Sequence, residues 1–142
     1  MEVKEIKKKL KKSLDKQRYQ HTLGVMYTAG CLAMANGYSI EKAMLAGLLH
    51  DCAKCMPDSK KLKICEKNHI EITEAEKMSP FLLHAKVGAY IAKAKYDIED
   101  TEILDAIACH TTGKPAMTLL EKIIYISDYI EPMRNKASNL EE

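Results

Sequence analysis

No apolar run in this 142-residue chain approaches the about 18–20 residues of a membrane span, and the lysine-rich opening, residues 1–20, has no hydrophobic stretch of signal-peptide length. A soluble protein with no membrane partner is expected. The five cysteines (31, 52, 55, 65 and 109) are odd in number and lack disulfide-like spacing, which fits a reducing, cytoplasmic location without disulfides. A net charge of +2 implies no obligate polyanionic partner such as nucleic acid. Strand pairs, internal repeats, low-complexity tracts and long linkers are also missing. What is present is ordinary for a globular protein, with 46% hydrophobic and 30% charged residues. A chain of this size buries roughly 68–70% of its unfolded surface, enough for a core, so residues 1–142 are expected to form one domain.

The periodicity is helical throughout. Val3, Ile6, Leu10 and Leu14 form one stripe, with Lys4, Lys7, Lys8, Lys9, Lys11 and Lys12 around it as a solvated face. A second helix is expected from about Arg18 to Asn36, ended by a left-handed Gly37, and a third from Ile40, capped by Ser39, to His50-Asp51. After the break at Pro57, Asp58 is expected to cap a short helix ending near Asn68. Thr73-Glu74-Ala75-Glu76 is a capping box starting a brief turn, and Ser79-Pro80 opens a helix reaching about Tyr96. Asp100 caps a helix that leads to His110, and Thr118-Leu119-Leu120-Glu121 is a second capping box. The run from Lys122 to Ile126 is strand-like in composition, but that box and the length of the pattern favour helix. The expectation is an all-α bundle of six or seven helices with a frayed tail after Arg134.

The ionisable residues fall in unusual places. His50-Asp51 ends an apolar helical run (Ala43, Leu45, Ala46, Leu48, Leu49), where a buried carboxylate costs several kcal/mol or more unless it is paired or bound to a cation. His21, His84 and His110 also lie on or at the ends of apolar stretches of three further helices, and Asp128 lies among isoleucines on a fifth. His69, in a polar loop, is the exception. A single histidine of this kind is more often a satisfied core residue than a ligand. Four with two aspartates suit Fe, Mn, Zn or Ni, and a bridging carboxylate would allow a dinuclear centre.

The order His21, His50-Asp51, Asp128 resembles the HD-domain metal-dependent phosphohydrolases. Residues 18–25, 46–54, 84–90, 110–113 and 120–132 are similar to successive motifs of one subfamily, the symmetrical bis(5′-nucleosyl)-tetraphosphatases, over nearly all of the chain from Arg18 to Arg134. That resemblance implies an HD-type bundle that splits diadenosine tetraphosphate into two ADP. It implies one metal held by His21, His50, Asp51 and Asp128, with Asp51 bridging to a second held by His84 and His110. Iron is the implied metal, with Mn, Zn, Ni or Co as alternatives, and the resemblance allows a homodimer.

Asp51 and Lys54 are the candidate catalytic residues. Lys54 follows Asp51 by three positions, so on a continuing helix its ammonium could meet a phosphate; Arg18 stands in the same relation to His21. Thr111, Thr112, Glu121 and Arg134 lie near the site by motif position, and Arg18, Lys54, Thr111, Thr112 and Arg134 are the candidate substrate contacts. Ala85-Lys86 departs from the Gly-Pro of many relatives and would add a lysine near the substrate mouth. The chain also stops sooner after Arg134 than such relatives. Cys52-Ala53-Lys54-Cys55 has the spacing of half a zinc site or a redox pair, but no second such pair exists, and both cysteines are taken as packing residues. The rival readings are an HD phosphohydrolase of another nucleotide, whether a nucleoside mono- or triphosphate or a cyclic dinucleotide, and a non-catalytic nucleotide-sensing helical module.

Overall fold

The structure, a computed structural model, describes residues 1–132, among which there are eight α-helices, one 3-10 turn and no strand. The helices are α1 (Val3–Ser13), α2 (Lys16–Ala35), α3 (Ile40–Leu49), α4 (Asp58–Lys67), α5 (Glu74–Met78), α6 (His84–Tyr96), α7 (Thr101–Ala108) and α8 (Leu119–Ile130), with the 3-10 turn at Pro80–Leu83 before α6. The all-α expectation holds, but six or seven helices was too few. Ser79 sits at φ −133°, ψ 78°, which separates a true helix α5 from the proline-led turn and delays α6 to His84. The expected cap of α4 also shifts: Pro57 occupies the cap position and Asp58 is the first helical residue. No helix among the described residues is long and apolar enough to cross a membrane.

Local signals set the helix ends. Asp15 accepts a hydrogen bond from the Arg18 amide and starts α2; Gly37, at φ +67°, follows its end; Ser39 accepts from the Lys42 amide and starts α3. Ile6 and Leu10 dock α1 through its one apolar stripe. α3 is the centre of the assembly. It packs against α2, α7 and α8, and Ala43, Ala46, Leu48 and Leu49 are fully buried, so its C-terminus is delivered into the interior. α2 and α3 pack tightly at Gly47, where an added Cβ would lie 3.0 Å from the Met26 Cα and 3.1 Å from the Val25 carbonyl oxygen.

Glu121 holds the approach to α8. It is 1% exposed and completes the Thr118 capping box, while its other oxygen takes the Lys114 ammonium at 2.7 Å and the Cys109 thiol at 3.2 Å. Glu121, expected near the site by motif position, thus ties the 109–118 segment to α8 through its carboxylate. Burial alone would push this carboxyl up, but Lys114, the Thr118 amide and the Cys109 thiol outweigh it and hold the group at about 2.

Two measurements check this packing. Gly47→Ala meets backbone that cannot move aside, and is expected to lower stability by about 1–3 kcal/mol in urea unfolding. Because the Glu121 carboxyl titrates below its ordinary value of 4.5, its contribution is full above that pH and is lost as pH falls toward about 2. Glu121→Gln should flatten the fall of stability with acid in that window, and an unchanged slope would show that Glu121 does not carry it.

Candidate metal centre

Helix termini explain where three of the four histidines point. His50 closes α3, His84 opens α6 after the 3-10 turn, and His110 follows the end of α7. At such ends the last carbonyls lack helical partners. Each imidazole uses one: Nδ1 of His50 lies 2.7 Å from the Gly47 oxygen, Nδ1 of His84 2.8 Å from Phe81 and Nδ1 of His110 2.7 Å from Ile107, always three residues back. A ring that donates from Nδ1 presents the lone pair of Nε2, which is how metal-ligating imidazoles are oriented. His21 lies inside α2, where the helix uses its own carbonyls, and its Nδ1 meets the carboxylate of Glu131 at 2.9 Å.

The four Nε2 atoms converge on Asp51, which is 2% exposed. Asp51 Oδ2 lies 3.2 Å from His50 Nε2 and 3.8 Å from His21 Nε2, and Asp51 Oδ1 lies 3.4 Å from His84 Nε2 and 3.3 Å from His110 Nε2. Asp128 Oδ1 completes the first group, 2.8 Å from His21 and 3.5 Å from His50. Two ligand sets result, His21/His50/Asp51/Asp128 and Asp51/His84/His110, each with its donor atoms within 4.8 Å of one another. They share Asp51, one oxygen facing each set.

The donor chemistry fits cations. His50 Nε2 is buried without a hydrogen-bond partner. His84 and His110 bring their Nε2 atoms to 3.2 Å; with both Nδ1 atoms donating elsewhere, two lone pairs face each other and call for a positive centre between them. Charge points the same way. Burial pushes His50 toward its neutral form, yet Asp51 and Asp128 hold its pKa up to about 10. Burial pushes Asp51 and Asp128 up, and the surrounding imidazoles more than reverse this, keeping both carboxyls far below their usual range.

Around this core the structure sorts the other candidates. Arg18, with a side chain 26% exposed, places Nη1 3.0 Å from Asp51 Oδ2, so it reaches from the surface to the buried carboxylate. The helix expected to carry Lys54 ends at Leu49. A turn keeps the register instead, with the Lys54 amide donating to the Asp51 carbonyl at 2.9 Å. The Lys54 ammonium lies 4.2 Å from the centre of the Phe81 ring, which itself lies 5.2 Å from the His84 ring. Burial lowers the pKa of Lys54, partly offset by Asp51.

Thr111 lines a cavity of about 100 Å³ with His110, Tyr125, Asp128 and Tyr129. Thr112 is exposed, and its hydroxyl donates to the Gly113 carbonyl rather than lining that cavity. A larger hollow, about 430 Å³, lies among α1, α2 and α3 and is lined by none of the ligand residues. The ammonium of Lys86, the lysine expected near the mouth, is engaged by Glu76 and by the Glu71 carbonyl, each at 2.7 Å. Cys52 is buried against the Gly88 carbonyl while Cys55 is exposed near Asp15, and neither joins a ligand set. Arg134 and the tail after it lie outside the described residues. Sequence reasoning missed Phe81 and Glu131. Glu131 had a legible signal, since it stands three positions after Asp128.

Comparison with known proteins agrees with this geometry. A family model described as the HD domain matches residues 18–133. A Bacillus subtilis (strain 168) protein named bis(5′-nucleosyl)-tetraphosphatase, symmetrical, is 44% identical over 125 residues, 88% of this chain and 67% of that protein. A Staphylococcus aureus (strain NCTC 8325 / PS 47) protein of the same name is 38% identical over 134 residues, 94% of this chain and 69% of that protein. The chain thus spans about two thirds of the length of these curated relatives. A crystal structure from Clostridium acetobutylicum, described as a predicted HD superfamily hydrolase involved in NAD metabolism, superposes with a TM-score of 0.93 at 43% identity, covering 99% of this chain and 74% of that one. By its motifs, its two ligand sets and these matches, the chain belongs to the HD-domain family, in the group that includes the proteins named symmetrical bis(5′-nucleosyl)-tetraphosphatases.

Proposed function

We propose that the protein is a metal-dependent phosphoric anhydride hydrolase that cleaves diadenosine tetraphosphate symmetrically into two ADP. The observation that carries this reading is the pair of ligand sets meeting on Asp51, in a chain 44% identical to a protein of that name. His21, His50, Asp51 and Asp128 would hold one transition-metal ion and Asp51, His84 and His110 a second, with iron the first expectation and Mn, Zn, Ni or Co as alternatives. Such ions, when bound, would supply a water of lowered pKa and neutralise the oxygens of the phosphoryl group whose phosphorus that water attacks.

The chain's own side chains bind and orient. Arg18 offers a guanidinium at the rim of the buried centre, a donor set suited to phosphate oxygens. Lys54, held over Phe81 beside His84, offers a second positive charge next to the second ligand set. Tyr125 and Tyr129, 41% and 57% exposed beside Asp128, present rings on which a nucleobase can stack. Thr111 adds a hydroxyl to the same wall. In the symmetrical reaction water adds across the central phosphoanhydride, so each half leaves as ADP and no covalent enzyme intermediate is needed.

Product analysis separates the readings. Two ADP from diadenosine tetraphosphate is the expected result. ATP plus AMP would overturn symmetrical cleavage, and turnover of a different nucleotide alone would assign another phosphohydrolase. Asp51→Ala is expected to abolish turnover with helicity retained by circular dichroism. Elemental analysis of protein purified without chelator should find up to two transition-metal ions per chain, and fully active metal-free protein would end the mechanism.

A further inference from the structure

Glu131 is the first residue beyond α8, yet its side chain is fully buried. It reaches inward because Gly24 on α2 leaves a slot: a Cβ there would lie 1.9 Å from Glu131 Oε1 and 2.4 Å from its Cδ. In that slot Oε2 sits 2.9 Å from His21 Nδ1, while Asp128, one turn earlier, holds Nε2 of the same ring at 2.8 Å. Asp128 in the last turn of α8 and Glu131 just after it therefore grip both nitrogens of His21. The other three ligand histidines rest on neutral carbonyls, so only the His21 set has a carboxylate behind a ligand.

We propose that Glu131, lodged over Gly24, is a positioning residue that makes the His21/His50/Asp51/Asp128 position the tighter of the two metal positions. An anionic acceptor at Nδ1 fixes the tautomer and makes Nε2 more basic, and loss of such partners typically weakens metal affinity about 10–100-fold. The inference rests on the two-ion reading above.

Titration of the apo protein with Co(II) against a competing chelator tests it without any substrate. The wild-type chain should bind two ions of unequal affinity, with His84→Ala losing the looser one. Glu131→Ala should weaken the tighter ion about 10–100-fold and leave the looser within threefold. Glu131→Gln, which keeps an acceptor for Nδ1, should recover part of that loss. Gly24→Ala, a change that favours a helix in itself, should reproduce Glu131→Ala by closing the slot. A tighter ion unmoved by Glu131→Ala, a loss shared equally by both ions, or no recovery with glutamine would overturn the proposal. A wild-type chain that binds no Co(II) would overturn the two-ion reading with it.

Discussion

The structure depends on solving one electrostatic problem, the burial of the Asp51 carboxylate at the centre of a helical bundle. At 2% exposure, water cannot stabilise the charge, and an uncompensated carboxylate in such a place costs several kcal/mol. The compensation comes from four separate segments, through the imidazoles of His21, His50, His84 and His110 and the guanidinium of Arg18. Packing and chemistry are thus one constraint. The C-terminal half of α3 has to be buried to carry Asp51 inward, and α2, α7 and α8 have to lie against it to bring their ligands within reach.

Chain ends within the fold make this economical. A helix terminus is a place where backbone carbonyls want donors, and His50, His84 and His110 each stand where one is available three residues back. The same hydrogen bond that satisfies the backbone turns Nε2 toward Asp51. His21 has no such carbonyl inside α2, and the fold answers with the carboxylate of Glu131, just past the end of α8. The difference between the histidines follows from their positions along the helices.

These relations divide what was legible in the sequence from what was not. The two capping boxes, Gly37, Ser39 and the apolar stripe of α1 are local features, written within a few residues of each other, and each forms as its residues dictate. The six ligand candidates were legible because ionisable residues are conspicuous on apolar stretches. Tertiary partners were not. Lys86 has the charge of a phosphate contact, and only the position of Glu76 and Glu71 shows that it is already engaged. Glu121 carries a motif position near the site, but Lys114 and Cys109 show it to be a tie. Glu131 resembles a surface residue before a proline until Gly24 on another helix reveals the slot it fills. α3 ends at Leu49, one residue before the expected His50-Asp51 end, because helical periodicity does not register where a helix gives way to successive turns.

Protonation couples this centre to its surroundings. Burial would leave His50 neutral, but Asp51 and Asp128 hold its pKa up to about 10, so near neutral pH the ring carries a proton that shares in offsetting their charge. A cation bound at His50 Nε2 takes the place of that proton, since only the neutral imidazole has a lone pair to give. Burial keeps His84 on the neutral side, ready to donate as it stands. On the two-ion reading the sets would therefore differ in what binding requires of them: one would exchange a proton for a metal among two carboxylates, the other would gather a metal between imidazoles around a single shared oxygen. Asp51 belongs to both, so charge added on one side of it is felt on the other.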